Sequence, residues 1–170
     1  PEAHRWVDLR RYAALNGPLG VQTKRGCQLH CTYCVYNRIE GRCYRLKSPG
    51  RVVEEVRDAV AHGVSNIEFV DSTFNVPLDH ALDICERLAR EQLPATYSTM
   101  GINPGALTAR LMRLMRKANF SEVSITPESA APAMLKSLGK GFTVDDVAAA
   151  ARLARRARMP IVWYFMFGGP

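Results

Sequence analysis

Apolar positions alternate along the chain between two spacings, one helical and one too short and dense to be helical. In SPGRVVEEVRDAVAHG, residues 48–63, Val52, Val53, Val56 and Val60 form one helical face. Ser48 suits the cap, Pro49 the first turn and Gly63 the stop. The same period passes through Leu78, Ala81, Leu82, Cys85 and Leu88 in PLDHALDICERLAREQL. It returns after Pro104, with Leu107, Leu111, Leu114 and Met115 in register, which predicts a helix opening at that proline. AAPAMLKSLGKG predicts a short helix and TVDDVAAAARLARRARM a longer one. Between them lie VQTKRG, SNIEFVDSTFN, ATYSTM, SEVSITPES and IVWYFMFGGP, short apolar runs that predict strands.

The order is therefore strand, helix, strand, repeated. Such alternation implies an α/β fold with a parallel sheet and right-handed crossovers. Strands this apolar are expected to be covered on both faces. Polar, Gly and Pro residues collect after the strands, in CQLHCTYC, DSTFN, GINPG, PESA and GGP. In parallel α/β folds the functional residues gather at those ends. Residues 1–20 read as an irregular lead-in ending in the turn-rich NGPLG, and residues 21–170 as the core.

A chain of 170 residues with 47% apolar content suits one folded domain. No apolar run is long enough to span a bilayer, and the first residues lack the apolar stretch of a signal peptide. A cytoplasmic location is the expectation. A start at Pro1 and an end in FMFGGP suggest a segment of a larger protein. The net charge of +7 suits a nucleic-acid surface or a ligand bearing phosphate or carboxylate. Apart from RLARRAR, on a predicted helix, the basic residues are scattered, so no nucleic-acid partner is expected.

Five cysteines, unevenly placed, do not suit a disulfide framework. Cys85 falls on a helical apolar stripe and reads as a small buried hydrophobe. Cys27, Cys31 and Cys34 share one loop. Three thiolates can bind zinc if His30 or Cys43 supplies a fourth ligand, although structural zinc sites usually pair two short knuckles. They can also hold a [4Fe–4S] cluster, leaving one iron open to an exchangeable ligand.

The Cys-x3-Cys-x2-Cys spacing, with Tyr33 before the third cysteine, resembles the radical S-adenosylmethionine (radical SAM) superfamily. The stretches VQTKRGCQLHCTYC, RLKSPGRVVEEV, IEFVDSTFN and FMFGGP resemble its cobalamin-binding branch. The resemblance implies a partial (β/α)6 TIM-like barrel, with the last unit beyond Pro170 and a cobalamin-binding domain ahead of Pro1. It also implies the cofactors: a [4Fe–4S] cluster on Cys27, Cys31 and Cys34, SAM on the open iron, and cobalamin.

Further roles follow, some from the same resemblance and some from position along the chain. Tyr33 matches an aromatic near adenine, and Asp71 and Ser72 the loop that meets the methionyl amine. Glu128 and Ser129 match a pair near the ribose or methionyl group, although Thr126 and Pro127 replace the glycine usual before it. Lys140 falls where a basic residue meets a carboxylate, while Gly168 and Gly169 would allow close backbone approach. Arg25 could tune the cluster. Tyr36, Asn37, Arg38 and Glu40 would line a substrate cavity, and Trp163 and Tyr164 would serve strand packing.

The implied chemistry is reductive cleavage of SAM, then cobalamin-dependent methylation of an unactivated carbon. The substrate would be a small molecule or peptide-derived, and electrons would come from a flavodoxin- or ferredoxin-type donor. Two rivals stand beside it: a radical SAM methylthiotransferase acting on RNA, and a non-catalytic module stabilised by zinc or a cluster.

Overall fold

The computed structural model describes residues 3–15 and 17–168. In chain order the elements are α1 (Leu9–Ala14), β1 (Leu19–Val21), β2 (Lys24–Arg25), α2 (Tyr36–Ile39), β3 (Arg45–Leu46) and α3 (Pro49–Ala61). Next come β4 (Asn66–Phe69), α4 (Leu78–Glu91), β5 (Thr96–Thr99), α5 (Ala109–Lys117) and β6 (Val123–Glu128). The last are α6 (Pro132–Ser137), α7 (Val144–Ala157) and β7 (Ile161–Phe165).

Strands β1, β4 and β5 pair in parallel, as do β6 and β7. Bridges Tyr97–Phe120 and Ile102–Ile125 join the two groups. The result is a parallel array in the order β1-β4-β5-β6-β7, the parallel α/β arrangement that the alternation predicts and the partial barrel that the resemblance implies. Among the described residues no ladder joins β1 to β7. Strands β2 and β3 form a separate antiparallel hairpin, with Lys24 opposite Leu46 and Arg25 opposite Arg45.

The helices cover the array with the faces their periods foretold. Helix α3 buries Val52, Val53, Val56 and Ala59, and α4 buries Ile84, Cys85 and Leu88 among others. Ser48 caps α3 by accepting from the Arg51 amide, and Thr143 and Asp146 form a reciprocal capping box on α7. In the core, Phe69, Phe74, Tyr97 and Phe120 contact one another, with Phe69 and Phe74 ring centroids 5.2 Å apart. Their separations lie in the range where tilted aromatic pairs attract. Among the described residues no helix is long and apolar enough to cross a membrane.

Three local readings change. The lead-in is not irregular: Asp8 caps α1, Leu9 is buried, and β1 already begins at Leu19. The strand expected over VQTKRG breaks at Gln22–Thr23, where a carboxylate takes the backbone amides that a sheet partner would have taken. The helix expected from Pro104 starts at Ala109. Asn103 closes a 3-10 turn at Pro104–Ala106 by accepting from the Gly105 amide, and the Thr108 hydroxyl caps the helix proper.

Truncating a fully buried ring leaves a cavity that the rigid array cannot collapse. Phe69→Ala should therefore cost about 3–5 kcal/mol in urea unfolding. Leu15→Ala, at a position 77% exposed, should stay within about 0.5 kcal/mol.

Candidate active site at the strand ends

The cysteine loop is anchored by one buried carboxylate. Asp71, just past β4, accepts from the Thr23 amide at 2.8 Å, the Thr23 hydroxyl at 2.6 Å and the Lys24 amide at 3.2 Å. The Lys24 ammonium lies 3.3 Å from the same carboxylate and donates to the Phe74 carbonyl at 3.1 Å. The two side chains are 1% and 0% exposed. Burial pulls the Lys24 pKa down, and Asp71 opposes that pull.

From this root the chain turns at Gly26, where φ is +88°. A side-chain carbon there would come within 2.1 Å of the Cys43 carbonyl oxygen, so the hairpin can close over the loop only if this residue is glycine. The Cys27 amide donates to Gly41 at 3.0 Å, and the Cys34 amide to Cys31 at 3.2 Å, closing a tight turn. The far side of the loop is stitched to α6 by the Thr32 amide, which donates to Leu138. Gly139, at φ +65°, lets the backbone pass His30 closely.

Cys27, Cys31 and Cys34 are all free thiols and line one cavity of about 170 Å³. Cys27 is buried and the other two half-buried. Burial raises the Cys31 pKa, and the Lys140 charge opposes it. Cys43 is exposed and does not line this cavity. A wider groove of about 680 Å³ between β1, the hairpin and α3 contains none of these cysteines.

Lys140 enters the cavity wall from the loop after α6. Its ammonium donates to the Tyr33 hydroxyl at 2.8 Å and to the Thr126 carbonyl at 3.1 Å. It lies 3.5 Å from Glu128 and over the rings of Tyr33 and Phe142. The Tyr33 hydroxyl in turn donates to Glu128 at 2.9 Å. Burial and the Glu128 carboxylate push the Tyr33 phenol upward. Glu128 has φ +66°, next to a register shift between Ile125 and Glu128. Strained backbone of this kind in a non-glycine residue concentrates at functional sites.

Of the residues singled out from sequence, the structure brings together the three cysteines, Tyr33, Asp71, Ser72 and Lys140. Glu128 reaches the cavity through Tyr33 and Lys140 rather than lining it. Asp71 borders the cavity as well, and its carboxylate is engaged by Thr23 and Lys24, so it also positions the loop. Other assignments change. The Ser129 hydroxyl accepts from its own turn, at Ala131, and Ser129 does not line the cavity. Gly168 has nothing within 4 Å of where a side chain would start, and Gly169 lies outside the described residues. Tyr36 and Asn37 line the cavity, but Arg38 does not, and Glu40 instead braces Gln22 and the Gly26 amide. Tyr164 is exposed, so only Trp163 packs on the core.

The sequence reading missed Thr23 and Lys24. It also missed Asn75, which clamps Asn103 by accepting from its amide and donating to its carbonyl, both at 2.8 Å. Neither pairing leaves a periodic signal.

A family model described as the radical SAM superfamily matches residues 21–170. The chain belongs to the radical SAM superfamily. It is 30% identical over 168 residues to an uncharacterised methyltransferase of Pyrococcus horikoshii, covering 96% of this chain and 36% of that one. It is 25% identical to tryptophan 2-C-methyltransferase of Streptomyces laurentii, over 88% of this chain and 26% of that one. Among solved structures it is similar to the radical SAM methyltransferase TsrM from Kitasatospora setae, with TM-score 0.88 and 23% identity over 96% of this chain and 33% of that one. That enzyme has been solved with cobalamin and a [4Fe–4S] cluster, and with tryptophan and a SAM analogue. The chain thus spans about a quarter to a third of the length of these proteins.

Removing one partner of the buried pair leaves the other charge uncompensated. Asp71→Ala should therefore cost about 3–5 kcal/mol in denaturant unfolding. In metal-free protein, iodoacetamide followed by mass mapping should modify exposed Cys43 first and Cys85 last. Cys85 is fully enclosed, and burial pushes its thiol upward.

Proposed function

We propose that this chain is the catalytic core of a radical SAM methyltransferase, in which Cys27, Cys31 and Cys34 hold a [4Fe–4S] cluster. The observation that carries this reading is the donor set: three free thiols from one pinned loop face one cavity, and the nearby fourth thiol, Cys43, lies outside it. A closed four-sulfur site would need Cys43 inside. Once bound, the cluster would supply the one electron that cleaves SAM reductively, leaving the protein to bind, orient and exclude water.

The chain's own residues suit those tasks. Lys140 presents a positive charge at the wall, already oriented by Thr126 and Tyr33, where a ligand carboxylate would gain a charge-assisted bond. Glu128 holds both Tyr33 and Lys140 in place. Ser72 adds a hydroxyl beside the loop, where it donates to the Gly26 carbonyl at 3.3 Å. The Asn75–Asn103 clamp fixes the opposite wall. The curated methyltransferases and the cobalamin-bearing structure support methyl transfer with cobalamin from an adjoining domain. On this reading the substrate is a small or peptide-derived molecule and the reductant a flavodoxin- or ferredoxin-type protein.

The test is iron. Full-length protein reconstituted without oxygen should bind one [4Fe–4S] cluster. Replacing all three loop cysteines by Ala should abolish its iron and visible absorption, and Cys43→Ala should leave both unchanged. Zinc in the native protein, or iron lost on changing Cys43 alone, would overturn the reading.

Glu128→Gln keeps the shape of the side chain but frees Lys140 and Tyr33 from their anion. A hydrogen bond involving a charged group is worth roughly 1.5–3 kcal/mol. SAM affinity should therefore fall about ten- to a hundred-fold with iron content intact, as read by titrating SAM against the reconstituted protein.

A further inference from the structure

One cluster of ionisable side chains lies away from the cysteine loop, at the other end of the barrel. Asp58, in the last turn of α3, and His62, at its C-cap, are four residues apart and share one face. His4 reaches the same place from the lead-in, 54 residues before Asp58. Helix α3 runs into β4, so its last turn lies at the N-terminal ends of the strands, opposite the cysteine loop. Residues at that end of such a barrel serve stability rather than catalysis.

Each of the three offers one ligand atom, and these atoms all lie within 4.8 Å of one another. The His4 Nδ1 is 2.8 Å from one Asp58 carboxylate oxygen, and the His62 Nδ1 is 3.6 Å from the other. Ligand atoms around a tetrahedral zinc, bonded at about 2.0–2.1 Å, stand roughly 3.3 Å apart. The two observed spacings fall on either side of that value. Two imidazoles and a carboxylate suit zinc and its neighbours among the transition metals, whereas magnesium and calcium favour oxygen alone. The C-terminal end of the 13-residue α3 adds the partial negative charge of its free carbonyls, which attracts a cation. The side chains of His4, Asp58 and His62 are 30%, 33% and 41% exposed, so water can reach a fourth position.

We propose that His4, Asp58 and His62 form a binding site for one divalent transition-metal ion of the zinc type, which staples the lead-in to α3. The two rings stack at 4.4 Å with 10° between their planes. The lone pair of an imidazole nitrogen lies in the ring plane, so loading tilts the rings toward a shared ion. Without metal, each Nδ1 donates its proton, from His4 to the Asp58 carboxylate and from His62 to the Asp58 carbonyl. On loading, both protons move to Nε2 and the ion takes Nδ1, which leaves the charge of each ring unchanged. No cysteine belongs to this site, so it does not depend on the cluster reading.

The test adds zinc chloride to full-length reconstituted protein and to its His4→Ala and His62→Ala variants, each then gel-filtered without oxygen. The native protein should retain one zinc per chain more than either variant. Competition with a chromophoric chelator should show zinc held at least about ten- to a hundredfold more weakly by each variant, since even changes behind a ligand cost that much. X-ray absorption at the zinc edge of the native protein should show nitrogen and oxygen at about 2.0–2.1 Å and no sulfur at about 2.3 Å. Equal zinc content and affinity in native and variant proteins would overturn the proposal. A shell of sulfur alone would also overturn it, and would count separately against the cluster reading by placing zinc on the cysteine loop. Urea unfolding without zinc checks that the variants fold. Should His4→Ala loosen the lead-in, His62→Ala, at the more exposed position, decides the matter alone.

Discussion

Everything at the candidate site hangs from the carboxylate of Asp71. A lysine ammonium with 1% exposure is tolerable only beside an anion, and a carboxylate with 0% exposure only with its lone pairs filled. Each therefore demands the other. Meeting both demands fixes the end of β1, the end of β4 and the turn at Phe74 as one rigid piece. The chain leaves the sheet because Asp71 takes its amides, and that departure starts the cysteine loop. Gly26 follows at once and tolerates the positive φ that sends the loop under the hairpin. Such a buried pair is weak support for stability as such, since an apolar pair of like size is often no worse. Its service is geometric, because two strands 47 residues apart in sequence must end together.

The opposite wall is organised by charge in a different way. Lys140, Tyr33 and Glu128 form a closed group in which each polar head faces another. Holding them there requires a left-handed backbone at Glu128 and a shifted register between β6 and β7. That strain is balanced by contacts on both sides, including the Met166 amide donating to the Glu128 carbonyl. Pro127 in place of a glycine does not prevent the turn. It lies buried within β6 and leaves the unusual conformation to the residue after it.

Much of the fold was legible because its signals are local. Helical spacing, the Ser48 and Thr143 caps and the polar residues after each strand are all read within a few positions. The cysteine triad is likewise a local pattern. What stayed hidden depends on distant partners. Nothing around Thr23 and Lys24 announces a carboxylate more than 45 residues away, so the first strand was drawn too long and the part Asp71 plays in holding the loop's root went unseen. Pro104 and Thr108 are both good helix openers, and the choice falls to the Asn75–Asn103 clamp, which holds the chain extended just before Pro104. The lead-in was read as irregular because its helix is short. It is held to α3 by His4, whose Nδ1 donates to the Asp58 carboxylate at 2.8 Å and whose ring stacks on His62 at 4.4 Å. No spacing rule links residues 54 positions apart.

The three thiols are not equivalent, and the difference follows from how each is held. Cys27 stands directly above the Asp71 anchor, with the hairpin closed over it, and is 6% exposed. Cys31 and Cys34 lie on a short turn tied to the end of α6, and they are half-buried. The loop therefore has one fixed, dry corner and one edge bordering the cavity. Lys140 acts on Cys31 across that edge. A single charged residue thus connects the wall held by Glu128 to the thiols held by Asp71. On the proposed reading, a ligand carrying both a group for iron and a carboxylate would meet the two anchored halves of the barrel at once. The pinned root and the charged wall are in this sense one device: each fixes one side of the same cavity.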